Sequence, residues 1–209
     1  MRDANRATGN STVTRIIRAE SEAISNIPED NDFELALDLI YERVHRQNGK
    51  VITSGIGKAG HVALNLSSTF AATGTPATFL HPAEAQHGDL GLVHKNDILL
   101  LVSNSGKTRE LLELVQLTRN LHADHPVMVI TGNRESPLAK KAIVILYTGG
   151  PPEVCPLNLT PTSSITTMMV IGHILTILLM MKIEFPREAF YMRHHGGYLG
   201  SLAKAEKSD

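Results

Sequence analysis

A short polar segment, residues 103–108 (Ser-Asn-Ser-Gly-Lys-Thr), separates an apolar run of strand length from a segment with helical spacing. The apolar run, Ile98–Val102, lacks alternation, which is typical of a strand covered on both faces in a parallel sheet. Backbone N–H groups and the helix dipole at a strand-to-helix junction favour an anion, above all a phosphate. We therefore predict that the 103–108 loop binds a phosphate group. Simple capping of the following helix by its hydroxyls is the alternative.

Two nucleotide motifs resemble parts of this chain without matching fully. The 103–108 loop ends like a Walker loop, but the glycine that the motif needs five positions before Gly106 is Leu101. Gly55, Gly57 and Gly60 fit G-x-G-x-x-G, yet the acidic residue expected at the end of the second strand is missing. A tight turn that needs glycine for packing is the alternative. Lys58 lies inside this turn and favours a functional role at the strand ends.

The remaining candidate groups are histidines and one glutamate in loops. His81 and His87 lie in a segment with further His, Glu and Asp residues, but their spacing matches no standard zinc pattern. Glu153 lies in a proline-rich loop, where catalytic groups are common. Cys155 has no identifiable base, so we interpret it as a small core residue. His194 precedes a histidine and a glycine pair near the chain end.

Strands and helices must alternate to bring these loops together. We expect helices before residue 48, then parallel strands that alternate with helices, and a long apolar helix last. This order predicts an α/β fold with a doubly wound parallel sheet. The expected strands are 51–54, 77–80, 98–102, 127–131 and 143–147. The expected divisions are an N-terminal helical segment (1–48), the sheet domain (49–183) and a C-terminal segment (184–209).

Composition excludes several classes of protein. The 209 residues are 42% hydrophobic, enough for a full core, and the net charge is only −1. A balanced charge gives no electrostatic case for nucleic acid or an anionic membrane. One cysteine cannot form an internal disulfide, and no signal peptide is recognisable, so we expect a cytoplasmic protein. Residues 165–181 are strongly apolar but contain Thr, Gly and His, which favours a buried helix over a membrane span.

Several motifs taken together resemble the sugar isomerase (SIS) domain, specifically the arabinose-5-phosphate isomerase family. The resemblance extends from about residue 50 to residue 200 and is far more specific than any single motif. Its motifs are Gly-Ile-Gly-Lys-Ala-Gly-His (55–61), Thr-Gly-Thr-Pro (73–76), the segment 81–91, Ser-Asn-Ser-Gly (103–106), Ile-Thr-Gly (130–132), Glu-Val-Cys-Pro-Leu (153–157), Pro-Thr-Ser-Ser (161–164) and the segment 194–200.

The resemblance implies a five-stranded parallel sheet between helices and an enzyme that interconverts D-ribulose 5-phosphate and D-arabinose 5-phosphate, which feeds Kdo synthesis for lipopolysaccharide or capsule. It implies a homotetramer with shared active sites and no required cofactor. The implied catalytic residues are Lys58, Glu110, Glu153 and His194. The implied substrate contacts are Gly55, Gly57, Gly74, Thr75, His81, His87, Ser103, Asn104, Ser105 and Thr108. His81 is also the implied position for an inhibitory zinc ion.

The implied chemistry assigns a role to each catalytic group. His194 opens the sugar ring, Glu153 moves a proton between C1 and C2 through an enediol, and Lys58 stabilises the enediolate. Glu110 orients Lys58 or a sugar hydroxyl. A carboxylate base such as Glu153 is effective if burial raises its pKa toward working pH.

Departures from the full-length family form leave substrate choice and regulation open. That form carries CBS modules after the SIS domain, which are not found in this sequence, so we expect a short form with possible feedback by CMP-Kdo. Lys107 and His195 also differ from the usual residues. The alternatives are a non-catalytic phosphosugar-binding regulator and an isomerase of another sugar phosphate.

Overall fold

The computed structural model describes residues 2–194, with side chains described from residue 11. Five parallel strands form one sheet, and their bounds are β1 Val51–Gly55, β2 Ala77–Phe79, β3 Ile98–Val102, β4 Val127–Thr131 and β5 Val144–Tyr147. Each strand lies within a residue or two of its predicted position. The α-helices of the described residues are α1 Arg2–Ser25, α2 Phe33–Ile40, α3 Gly57–Ala72, α4 Pro82–Ala85, α5 Arg109–Leu121, α6 Ser163–Lys182 and α7 Arg187–Arg193.

The strand order determines where the sheet can bind a ligand. It runs β2-β1-β3-β4-β5, and every pair of neighbours is parallel. The chain moves outward from β1 to β2 in one direction and from β3 to β5 in the other, so the switch point lies between β1 and β3. Ligands of doubly wound sheets bind outside the carboxyl ends of the strands at such a point. The 55–60 turn and the 103–108 loop both begin there.

Helices cover both faces of the sheet, as the unbroken apolar strands predicted. On one face, Ile98, Leu100 and Val102 of β3 belong to a core cluster with residues of α2, α3 and α6. On the other face, Leu99 and Leu101 pack with residues of α5 and α4. All five β3 side chains are completely buried. The α/β doubly wound prediction is confirmed.

The apolar helix α6 is a core element along one of its sides. It is long and apolar enough to cross a membrane, because an 18-residue stretch of it has a mean hydropathy of 1.9. However, 44% of that stretch is buried inside the protein. Met168, Ile171, Leu175 and Leu179 form the buried side, which packs in the core with α3. Gly172 makes this packing close, because a β-carbon there would overlap the Leu66 side chain.

Candidate functional site

The turn after β1 is built by glycines that permit close backbone approach. A β-carbon on Gly55 would lie 2.9 Å from the Ala59 carbonyl oxygen, and one on Gly60 would lie 2.7 Å from the Gly55 oxygen. Gly57 has φ +59°, in the left-handed region that favours glycine. The glycine pattern therefore has a packing reason that is independent of any dinucleotide. The turn exposes Lys58 in the first turn of α3, at the carboxyl edge of the sheet.

The 103–108 loop is closed by its own hydroxyls. The Ser103 and Thr108 hydroxyls lie 2.9 Å apart, and the Gly106 N–H donates to Ser103 Oγ at 3.2 Å. The Lys107 N–H donates to Ser105 Oγ at 3.2 Å. No side-chain hydrogen bond caps α5 in the described structure, so its first N–H groups can bind an anion. Phosphate binding by this loop stays a prediction.

Contacts from β4 fix the position of Asn104. Its carbonyl oxygen accepts the Thr131 hydroxyl at 3.2 Å and the Gly132 N–H at 3.0 Å. Its side chain is exposed and lies against Gly132, where a β-carbon would overlap its amide oxygen. Asn104 is thereby held at the edge of a cavity that Lys58 also lines.

Glu153 is held by the first turn of α6. Its Oε2 accepts the Thr162 N–H at 2.6 Å, the Thr162 hydroxyl at 2.8 Å and the Ser164 N–H at 3.3 Å. Burial would raise the pKa of Glu153, but the donors of Ser164 and Thr162 outweigh it and lower the pKa below its ordinary value. Glu153 therefore does not have the raised pKa that would favour a carboxylate base. Glu153 is ionised at neutral pH, the state that a general base requires.

A cavity of about 400 Å³ brings three of the predicted residues together. Lys58, Asn104 and Glu153 line it, with Asn158 and Ser164 nearby. A second cavity, of about 680 Å³, lies between α1 and the loop after β5, and Glu153 lines that one too. The smaller cavity lies at the switch point of the sheet, so it is the candidate active site.

Glu110 and Lys58 come from the first turns of α5 and α3 at the same edge. Glu110 is half-buried, whereas Lys58 is exposed. Among the ion pairs of the described residues, none joins Lys58 to Glu110 or Glu153. The role of Glu110 in orienting Lys58 stays a prediction.

The two predicted histidine contacts are exposed. His81 follows β2 at the carboxyl edge, where its ring meets Phe79 edge-on at 6.4 Å between centroids. His87 lies in the turn after α4. Neither lines the smaller cavity. Within the described residues, no group of three or more His, Cys, Asp or Glu could hold a metal ion. An inhibitory zinc ion at His81 stays a prediction.

Gly74 and Thr75 lie at the opposite edge of the sheet. They belong to the connection from α3 to β2, which enters the sheet at its amino end. A β-carbon on Gly74 would fall 2.6 Å from the Phe185 ring, and Thr75 Oγ1 lies 3.2 Å from His45 Nε2. Within one protomer, the structure does not bring these two predicted contacts to the candidate site.

His194 also lies away from Glu153 within one protomer. The 20 residues of α6 begin beside Glu153 and span about 30 Å before α7. Arg193, at the end of α7, lies over the Phe185 ring at 5.4 Å, beside Gly74 at the amino edge. His194 stacks on Phe190 with centroids 3.9 Å apart. A second copy of the chain would have to supply His194 to the cavity. The expected C-terminal segment beyond residue 194 lies outside the described residues.

Three residues of the 153–164 loop were not assigned from the sequence. Asn158 accepts the Glu153 N–H at 2.7 Å, and Thr162 and Ser164 hold the carboxylate. Thr162 directly precedes a long apolar helix and Ser164 lies in its first turn, which is a helix-start pattern that the sequence does carry. The core interpretation of Cys155 is wrong. Its half-buried Sγ accepts the N–H groups of Leu159 and Thr160, which lower its pKa to about 7.

Comparisons with known proteins give a family and close structural relatives. The SIS domain family model matches residues 45–178. The chain is 42% identical to the arabinose 5-phosphate isomerase KdsD of Francisella tularensis over 88% of its own length and 56% of that protein's. It thus spans about half the length of the curated relatives it matches.

Two solved structures cover almost the same length as this chain. One, from Bacteroides fragilis and described as a phosphosugar isomerase involved in capsule formation, has 52% identity and a TM-score of 0.88, over 90% of this chain and 98% of that one. Another, an Escherichia coli protein in complex with arabinose 5-phosphate, has 31% identity and a TM-score of 0.80, with 90% and 98% coverage.

Proposed function

We propose that this chain, which belongs to the SIS domain family, interconverts D-ribulose 5-phosphate and D-arabinose 5-phosphate. The proposal rests on the position of Glu153. Its carboxylate is ionised and accepts hydrogen bonds on one oxygen, and it lines a cavity with Lys58 beside the 103–108 loop. The relative solved with arabinose 5-phosphate supports the substrate class. The name of the KdsD relative supports the same reaction.

In the proposed mechanism, the 103–108 loop and the N-terminus of α5 bind the phosphate of the substrate. Glu153 removes a proton from C1 of the ketose, and electrons move to the C2 oxygen as an enediolate forms. Lys58 stabilises the charge on that oxygen, because a fixed cation at a developing anion lowers the barrier. Glu153 then delivers a proton to C2 while the proton of the O1 hydroxyl moves to O2, so that C1 becomes the carbonyl carbon of the aldose. The reverse direction needs ring opening, which we assign to His194.

A second copy is part of the proposal, because His194 lies far from Glu153 within one protomer. Exposed apolar side chains on α1 and α6 support an assembly: Val13, Ile17, Ile177 and Met181 are 55%, 60%, 57% and 69% exposed. We propose a homotetramer. Mixing Glu153→Gln and His194→Ala subunits should restore activity above either parent, since some sites then contain both native groups. Absence of restoration would contradict a shared site.

We propose that the reaction requires no cofactor. We also propose that the protein acts in the cytoplasm, in a pathway that makes Kdo. Proton transfer through an enediol needs no redox group, so activity should survive dialysis against a chelator. Loss of activity that zinc or magnesium restores would overturn this part.

Feedback by CMP-Kdo is a further part of the proposal. The cavity of about 680 Å³ that shares Glu153 offers room for a larger ligand beside the substrate. Rates with and without saturating CMP-Kdo test it, and an unaltered rate would exclude it.

The primary experiment is the identification of the product from ribulose 5-phosphate by NMR. Arabinose 5-phosphate is the expected aldose. Ribose 5-phosphate would indicate reprotonation on the other face and another isomerase. Binding without any turnover would favour the regulatory alternative.

A further inference from the structure

The two oxygens of the Glu153 carboxylate have different surroundings. Oε2 accepts three hydrogen bonds from the start of α6, at 2.6, 2.8 and 3.3 Å. None of these three hydrogen bonds goes to Oε1, and the Ser164 hydroxyl is a further group that lowers the pKa of Glu153. Since Glu153 lines the cavity of Lys58 and Asn104, Oε1 is the oxygen available to a sugar.

The Thr162 hydroxyl has only one direction in which to donate. Its Oγ1 accepts the Val154 N–H at 3.1 Å and lies 2.8 Å from Glu153 Oε2. A hydroxyl has a single proton, and an ionised carboxylate only accepts. The proton of Thr162 must therefore be directed at Oε2, and a charge-assisted bond of this kind is about twice as strong as a neutral one.

We propose that Thr162 is a positioning residue for the proposed isomerase reaction, and that its hydroxyl fixes Oε2 of Glu153 so that Oε1 faces the C1–C2 end of the sugar. This inference rests on the proposed function of Glu153 as the base. It adds that the carboxylate is oriented by the first turn of α6 and not by Lys58 or Glu110, with which it forms no ion pair in the described part of the chain.

The local fold does not depend on this hydroxyl alone. Glu153 also accepts the backbone N–H groups of Thr162 and Ser164, which a substitution at position 162 leaves in place. Asn158 independently closes the loop through the Glu153 N–H at 2.7 Å. A Thr162→Val protein should therefore keep these three contacts of the loop, and it loses the directed proton together with the acceptor of the Val154 N–H.

The charged groups around Glu153 come from several elements and stay constant in this comparison. Lys58 of α3 shares the smaller cavity, while Arg15 and Glu22 of α1 and the Cys155 thiol share the larger one. Glu20 of α1 accepts the hydroxyl of Ser163, next to Thr162, at 3.2 Å. Because none of these groups changes with position 162, a shift in the titration of Glu153 reports the lost hydroxyl.

The test compares Thr162→Val with Thr162→Ser and with Thr166→Val as a matched control. Thr166 lies one turn later in α6, and its hydroxyl donates to the Thr162 carbonyl at 3.3 Å without touching Glu153. We expect Thr162→Val to move the acid limb of the kcat/KM profile up by about one pH unit and to lower kcat roughly tenfold. Thr162→Ser should restore both, and Thr166→Val should change neither.

A carboxyl-¹³C NMR titration of Glu153, assigned with Glu153→Gln, separates this inference from the proposed function. If the pKa of Glu153 is raised in Thr162→Val and equals the wild-type value in Thr162→Ser, the Thr162 hydroxyl positions Glu153, whichever sugar is the substrate. An unshifted Glu153 titration together with an unchanged acid limb overturns the inference even if the wild type is an isomerase. If the wild type converts no phosphosugar, the proposed function fails, and the titration still decides whether Thr162 holds Glu153.

Discussion

Replacing Gly106 with alanine should destabilise the fold more than the same change at Gly57. Both glycines have φ +59°, where a β-carbon costs about 1–2 kcal/mol. Around Gly57 nothing lies within 4 Å of the added carbon, whereas at Gly106 it would overlap the Ser136 side chain. Overpacking adds about 1–3 kcal/mol. We therefore expect losses of about 1–2 kcal/mol for Gly57→Ala and about 2–5 kcal/mol for Gly106→Ala.

Urea unfolding at neutral pH measures both losses from the transition midpoints at a common slope. Ser136→Gly is the second substitution of a double-mutant cycle, because it removes the side-chain atoms that a β-carbon on residue 106 would overlap. In a double-mutant cycle, Gly106→Ala should cost less in the Ser136→Gly background. Equal destabilisation by Gly57→Ala and Gly106→Ala, or a cycle without coupling, would refute the steric reasoning. Gly106→Ala should also raise KM for a phosphosugar, because the overlap with Ser136 would displace the backbone whose N–H donates to Ser103 Oγ and closes the 103–108 loop.

Three further outcomes test other parts of the structure. His125 is buried, and desolvation lowers its pKa from 6.5 to about 4, so stability is complete above pH 6.5 and falls as pH drops toward 4. Between pH 6.5 and pH 5 the free energy of unfolding should fall by about 2 kcal/mol, and this fall should be absent in His125→Phe. Equal pH dependence of unfolding in the two proteins would contradict this role of His125. Gly172→Ala should cost about 1–3 kcal/mol in urea unfolding, since its β-carbon would overlap Leu66, and an unchanged midpoint would count against this contact. Lys58→Met should lower kcat on the order of a hundredfold with unchanged stability; full activity would remove Lys58 from the mechanism.

The sheet could be predicted because the strand sequences themselves have the apolar pattern of buried strands. Ile98–Val102 is apolar without interruption, and helices do cover both faces of β3. The carboxyl-edge residues Lys58 and Asn104 were predictable for a related reason. A loop that follows a parallel strand must lie at that edge, so the position follows once the strand is known.

Other positions cannot be predicted from local patterns because they depend on contacts between distant segments or between copies of the chain. Gly74 and Thr75 differ, because the order of helix and then strand already puts them at the amino edge; their substrate contact, which the resemblance alone implies, stays a prediction. His194 follows the full length of α6, and no local pattern says to which protomer's site it belongs. No residue pattern indicated that the first turn of α6 would return to Glu153 and lower its pKa, since that depends on the path of the 153–164 loop.

The central claim is that Glu153 moves the proton between C1 and C2. The most direct measurement follows deuterium incorporation at C2 of the product by NMR in heavy water, for the wild type and Glu153→Gln, with substrate affinity measured in parallel. The account predicts that the wild type incorporates deuterium at C2. Glu153→Gln should incorporate almost none, although its affinity for the substrate stays near normal. Turnover and incorporation at the wild-type rate in Glu153→Gln would contradict it.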